Sequence, residues 1–260
     1  MTTSSEALLA RAEALRFHGL VAHWHEVTPD GLVQIQTLIE WEEQERARHT
    51  LEYRLKAAQL GRFKSICDFD WKWPKRIDRA AIEAQMSLDF LKDAGNLIFV
   101  GTAGLGKTLL AKNIAHQALI HGHSVLFATA GGMLGKLAAL DSDSALRSRL
   151  RHYTAPSLLV IDEIGSLSYS NRHADLLFEI VSRRYEQKST IITTNKPFAE
   201  WNEIFPNAAC VVSMVDRLVH HAEVIRIEGK SYRLEEARKQ AEQRALQRTK
   251  QRTRRHGVKS

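Results

Sequence analysis

Apolar residues recur along this chain in two rhythms, and the change between them falls near Asn96. Before it, Leu8, Leu9, Ala12, Leu15 and Leu20 keep a spacing of three to four residues that predicts helix. Thr28 followed by Pro29 predicts an N-cap with proline at the first helical position. The helix it opens carries Leu32, Ile35, Leu38 and Ile39, then Ala47, Leu51, Leu55 and Ala58, with Gly61 as its stop. A connector rich in tryptophan and lysine runs from Phe63 to Arg79, and a short helix over 80–91 follows. Helices without strands predict a small all-helical N-terminal domain over residues 1–79.

From Asn96 onward, short apolar runs alternate with stretches of helix length. Strands are predicted at 96–100, 124–129, 157–161, 190–194 and 223–227, and helices at 107–120, 131–140, 145–152, 171–187 and 208–221. Strands spaced by helices predict an α/β domain over residues 80–232, a parallel sheet with helices on both faces. Residues 233–260 form a basic tail whose first part, 234–250, is helix-prone with almost no apolar face.

Composition changes this picture little. Hydrophobic residues make up 44% and charged residues 26% of the 260, close to globular averages. No run of about 18 apolar residues exists to cross a membrane, and the polar first residues do not form a secretory signal. Two cysteines, Cys67 and Cys210, are too few for a disulfide framework or a zinc site, which fits packed thiols in a reducing cytoplasm.

Charge adds more. The net +7 is unevenly placed. Residues 1–45 hold 2 Lys+Arg against 8 Asp+Glu, residues 46–79 hold 10 against 4, and residues 233–260 hold 10 against 3. Two basic segments fit contact with a polyanion; the alternative is a solvated helix face with a disordered tail.

The chemistry begins at Gly101-Thr102-Ala103-Gly104-Leu105-Gly106-Lys107-Thr108, which fits G-x-x-x-x-G-K-[ST] directly between a predicted strand and a predicted helix. That placement suits phosphate binding: glycines let backbone N–H groups wrap a phosphate, and the helix N-terminus adds its dipole. Lys107 is expected to reach the β- and γ-phosphates of ATP, and Thr108 to ligate Mg²⁺. The run Leu158-Leu159-Val160-Ile161-Asp162-Glu163 then ends a buried strand in two carboxylates, where α/β sheets place their ligands. Asp162 suits Mg²⁺, and Glu163 suits a base for the attacking water, the group a hydrolase needs and a phosphate-transferring kinase does not. Asn195 ends the strand 190–194 with an amide that fits either the γ-phosphate or a plain turn.

The ordered set GTAGLGKT, LLVIDEIG, LLFEIVSRRYEQKSTIITTN and VVSMVDRLVHHAEVIRIEGKSYR resembles the IstB/DnaC group of AAA+ ATPases, its IstB branch most of all, over nearly the whole chain. The resemblance implies an AAA+ P-loop core, Asn195 as its sensor-1 residue, and Arg217 as a finger reaching a neighbouring subunit's γ-phosphate. It further implies a homo-oligomer with ATP at subunit interfaces, double-stranded DNA as a partner, and an IstA-like transposase to recruit. Arg183 and Arg184 compete for the finger role, and Arg233 is a candidate sensor-2 arginine. Positions 102 and 109 hold Thr and Leu where many relatives have Pro and His.

Other readings stay open beside this one. A DnaC-like helicase loader shares the core, and a small-molecule kinase shares the P-loop. Trp71 and Trp73, among Lys72, Lys75 and Arg76, suit base stacking on nucleic acid or the docking of the N-terminal domain. The histidine groups 18/23/25, 121/123 and 220/221 have no acid or cysteine at metal-ligand spacing and are expected on helix surfaces or in the core.

Overall fold

The computed structural model describes residues 4–206, 208–241 and 244, and these divide into two compact units, 1–56 and 57–260. The first unit is helical. It holds α1 (Ser5–Ala14), α2 (His18–Ala22) and nearly all of α3 (Pro29–Ala57). Ser4 and Thr28 cap α1 and α3 with their hydroxyls, and Pro29 opens α3 as its spacing predicts. The helical run expected from Leu8 to Leu20 is interrupted, because Arg16 takes a left-handed φ of 59° between α1 and α2. Leu8, Ala12 and Leu15 bury against Ile39, and that small cluster is the unit's core.

The second unit opens with residues the hydrophobic pattern assigns to the N-terminal domain. Leu60 and Ala58 are buried, the Ala58 carbonyl accepts from Phe127 N at 2.8 Å, and the Asn113 side chain holds the backbone of Lys64 and Ile66. Residues 57–79 therefore fold with the α/β unit, and the boundary falls at 56/57 instead of 79/80.

After α4 (Arg79–Gln85) the chain alternates: β1 (Asn96–Val100), α5 (Lys107–Ile120), β2 (Val125–Thr129), α6 (Ala130–Ala138), α7 (Asp143–Thr154) and β3 (Leu158–Ile164). It continues through α8 (Asn171–Arg184), β4 (Ser189–Thr194), α9 (Trp201–Ile204), α10 (Ala208–Val219) and β5 (Ala222–Arg226). The five strands form one parallel sheet in the order β2-β3-β4-β1-β5. Alternation along the strands separates the faces. Ile98, Leu159, Ile161 and Ile192 join one core with α6, α8 and α10, while their neighbours Leu97, Phe99, Val160 and Ile191, equally buried, stay out of it. No residue of α5 belongs to that core, although α5 packs on β1, β3 and β4. Helices thus cover both faces, which is the predicted α/β architecture.

The strand order positions the site. β4 lies between β1 and β3, so the C-terminal ends of all three open side by side. Residues 232–241 continue in helix; most of the basic tail expected over 233–260 lies outside the described residues.

Candidate functional site

β1 delivers the chain to Gly101, and residues 101–106 loop around to the first turn of α5. The loop must be glycine-rich for two local reasons. Gly106 has φ 88° and faces the Phe69 ring, 2.5 Å from where a Cβ would sit, while Gly101 abuts the Ile227 carbonyl, which a Cβ would meet at 2.2 Å. Lys107 is buried, with its ammonium donating to the carbonyls of Gly101 at 2.6 Å and Thr102 at 2.8 Å. Burial pushes its pKa below the ordinary lysine value, and Arg233 adds to this while Asp162 and Glu163 oppose it.

Asp162 emerges from β3 at 3% exposure and gathers the neighbouring elements. Its Oδ1 accepts from Thr108 Oγ1 on α5 at 2.8 Å and from Thr193 Oγ1 on β4 at 2.6 Å. The Thr193 oxygen accepts in turn from Glu163 N at 2.9 Å. β3 runs on past the predicted end at Ile161, and its register with β4 shifts between Ile161 and Ile164. Glu163 sits in that irregularity with φ 63°, a left-handed conformation that costs a non-glycine residue of order 1 kcal/mol. Asp162 is buried like the four residues before it, and Glu163 alone in the strand is exposed and lines the cleft.

Lys107, Thr108, Glu163 and Thr193 line one cavity of about 320 Å³, a size that suits a bound small molecule. Its rim also includes Phe69, Trp73, Asn195 and Arg233. Asn195 Oδ1 is buried and has no hydrogen-bonding partner. An acceptor so placed at a cleft waits for a donor on something bound there.

A second wall was not legible in the sequence. The Arg76 and Glu228 backbones exchange hydrogen bonds at 3.1 and 2.9 Å, Trp73 Nε1 donates to the Lys230 carbonyl at 2.8 Å, and Trp73 meets the Tyr232 ring edge-on at 5.5 Å. Tyr232 N donates to the Gly104 carbonyl at 2.9 Å, so the stretch after β5 is tied to the phosphate loop itself. Trp73 thus fastens two segments of its own unit. Trp71 stays at the side, edge-on to Phe69 and under the Arg79 guanidinium at 5.0 Å. Tryptophan and glycine spacing is the signal that could have pointed here, but nothing in it identifies the partner strand.

The arginines separate. Arg184 is 2% exposed and donates to Thr190 Oγ1 and to carbonyls including those of Tyr153, Pro156 and Ser189. Burial lowers its pKa to about 9. It is a structural bolt between α7, α8 and β4. Arg183, at the same helix end, is a surface pair with Glu179 at 2.5 Å. Arg217, half-buried on α10, donates to Ser182 Oγ and lies 4.8 Å from the Phe178 ring centre, and it takes no part in lining the cavity of its own chain.

Comparison with known proteins gives a consistent answer. Residues 10–241 match the family model of IstB-like ATP binding proteins. The chain is 35% identical over 205 residues to a protein named as the ATP-binding protein of insertion sequence IS5376 from Geobacillus stearothermophilus, covering 79% of this chain and 82% of that one. It is 36% identical to the IS21 counterpart of Pseudomonas aeruginosa, covering 75% and 73%, and 32% identical to the IS232 counterpart of Bacillus thuringiensis subsp. berliner, covering 91% and 97%. Among solved structures, DnaI superposes with a TM-score of 0.54 at 20% identity, covering 66% of this chain and 93% of that one, which is a likeness of fold.

Proposed function

This chain belongs to the IstB-like ATP-binding proteins, and on that premise we propose that it is an ATP hydrolase that assembles on double-stranded DNA and recruits or stimulates a transposase. The observation that carries the hydrolase reading is the triple junction at Asp162: one carboxylate ties the P-loop helix, through Thr108, to the strand that leads into Asn195, through Thr193. Glu163 projects from the same turn into the cavity.

ATP binding is the family's property, and the division of labour follows from this geometry. The loop amides and Lys107 hold the phosphates; the ammonium already sits among loop oxygens, 2.6 and 2.8 Å away, and exchanges them for phosphate oxygens. The donor set fits Mg²⁺: Thr108, by donating its proton to Asp162, keeps a lone pair for a hard cation, and Asp162 has a second oxygen for one of the ion's waters. When bound, the ion neutralises charge on the β- and γ-oxygens. Glu163 takes the proton of the attacking water, and the unpartnered Asn195 Oδ1 accepts that water's second hydrogen. Charge developing on the transferred phosphoryl group calls for an arginine. Arg217 of a neighbouring subunit supplies it, a reading supported by the absence of Arg217 from its own chain's cavity and by the internal engagement of Arg184. Arg233 lines the cavity, which supports reading it as a sensor-2 arginine.

Assembly on DNA draws on the basic segment 46–79 and the tail 233–260; the transposase partner draws on the insertion sequences for which the relatives are named. ATP turnover measured across protein concentration, with and without duplex DNA, tests the reading. It predicts a steep, DNA-stimulated rise with concentration, and DNA affinity that falls by orders of magnitude between low and physiological salt. Turnover strictly proportional to protein and indifferent to DNA would overturn it.

A further inference from the structure

His220 and His221 have no acid at ligand spacing in the sequence, yet the fold brings one to them. They sit where α10 gives way to β5, beside the turn that follows α8. There Glu186 approaches with Oε1 3.4 Å from His221 Nε2 and 3.9 Å from His220 Nδ1. Among the described residues this is the one group of three such side chains whose ligand atoms all lie within 4.8 Å of one another.

Several features hold the trio together. Glu186 adopts a left-handed φ of 55°, which turns its side chain away from the course of α8. The Tyr185 ring stacks on both imidazoles, at 5.9 and 6.5 Å, and the imidazoles lie 4.0 Å apart. The Tyr185 hydroxyl is 2.7 Å from His220 Nδ1. With Tyr185 donating, that nitrogen carries the ring's lone pair, which the hydroxyl holds and a metal would take in its place.

We propose that Glu186, His220 and His221 form a binding site for a divalent transition-metal ion of the zinc class, separate from the nucleotide cavity. Two imidazole nitrogens and a carboxylate oxygen are the borderline donor set that prefers Zn²⁺ to Mg²⁺ or Ca²⁺. Tetrahedral zinc, with ligands at about 2.0–2.2 Å, needs donors about 3.3–3.6 Å apart. The 3.4 Å pair meets this already, and the 3.9 Å pair needs a small rotation of two exposed side chains. Water fills the remaining position. His220 releases the Tyr185 hydroxyl as its lone pair turns to the ion.

The location gives the site a consequence. Arg217 lies one helical turn before His220 and His221, and its partner Ser182 lies one turn before Glu186. An ion here staples the end of α8 to the end of α10, directly beyond the arginine that the proposed oligomer would use. The site itself does not depend on that reading.

The test is isothermal titration of Zn²⁺ into the full-length chain, free of any affinity tag and of nucleotide, at neutral pH. One ion per chain is expected, with affinity at least tenfold weaker in both His221→Ala and Glu186→Gln. Lys107→Ala and Cys67→Ser, which alter the nucleotide loop and an exposed thiol, should bind as the wild type does. Circular dichroism shows whether each variant is folded, and Glu186→Gln, an isosteric surface change, serves where His221→Ala is not. Wild-type stoichiometry and affinity in folded Glu186→Gln, or no uptake by the wild type up to about 100 µM free ion, would overturn the assignment.

Discussion

In the α/β unit the decisive charged groups are buried and tied to one another; in the helical unit they lie in water. Asp162, Lys107 and Arg184 are each under 9% exposed; Asp162 and Arg184 are held by partners from several elements, and Lys107 by two carbonyls of its own loop. On α3, Arg46 pairs with Glu42 at 2.6 Å, while Arg48 bridges Glu45 and Glu52 at 2.5 and 2.6 Å, all with side chains 38–55% exposed. Such ladders steady a long helix only slightly. The same helix leaves Val33, Leu38, Trp41 and Tyr53 exposed. One unit therefore uses charge to build a site, and the other carries charge and apolar surface on its outside.

The largest effect that could break this contrast lies in the site. Glu163→Gln keeps the size and hydrogen-bonding capacity of the side chain and removes the base. ATP turnover should fall by about 10²–10⁴-fold while ATP affinity stays within a few-fold, as measured by steady-state kinetics beside equilibrium binding. Loss of affinity in step with turnover would mean that Glu163 holds the nucleotide rather than acting on it.

Next in size is a stability effect in the same unit. Arg184→Met strips donors from Thr190 and the carbonyls around it, leaving buried acceptors without partners. Because the group is almost fully buried, the loss should reach about 3 kcal/mol, read as a shift in the denaturant midpoint. In the helical unit, Ile39→Ala empties one of the two large fully buried positions among the described residues, Leu8 being the other. A loss of about 2–4 kcal/mol should appear as faster hydrogen exchange across α1 and α3, with β1–β5 protected as before. Exchange that rises equally in the sheet would dissolve the distinction between the units.

The smallest effect is a pH dependence. Arg11 donates to both Glu43 oxygens, at 2.9 and 2.6 Å, and this holds the Glu43 carboxyl below its ordinary pKa. A lowered acid contributes stability that is fully present above the unfolded value and is lost as pH falls through the folded one. Glu43→Gln should therefore lower the helical unit's thermal stability slightly at neutral pH, flatten its acid limb, and leave stability at the acid end almost unchanged.

Much of the α/β unit was readable because burial on both faces forces a pattern. The apolar runs that place β1, β2 and β5 fall within a residue or so of the observed strands, and Thr28-Pro29 marks the start of α3. The glycines of the 101–108 loop were legible for a related reason: a loop that packs Gly101 against the Ile227 carbonyl and Gly106 against Phe69 tolerates few residue types. What escaped depended on contacts far apart in sequence. Thr193 looks like any β-branched strand residue until β3 brings Asp162 and Glu163 to its hydroxyl. Residues 57–79 read as an extension of the N-terminal helices, because local spacing cannot show that Asn113 and Phe127 hold them. Arg183 and Arg184 are neighbours with one context, and only the fold makes one a surface pair and the other a buried bolt.

The claim on which the account turns is that the site holding Lys107 and Glu163 is completed by Arg217 from another copy. Mixing two inactive variants, Lys107→Ala and Arg217→Ala, in the presence of duplex DNA tests it directly. Each alone should hydrolyse ATP at background rate. Mixed in equal amounts they should recover a substantial fraction of wild-type turnover, because the intact P-loop of one meets the intact arginine of the other. Full activity in Arg217→Ala alone, or no recovery in mixtures shown to co-assemble, would contradict it.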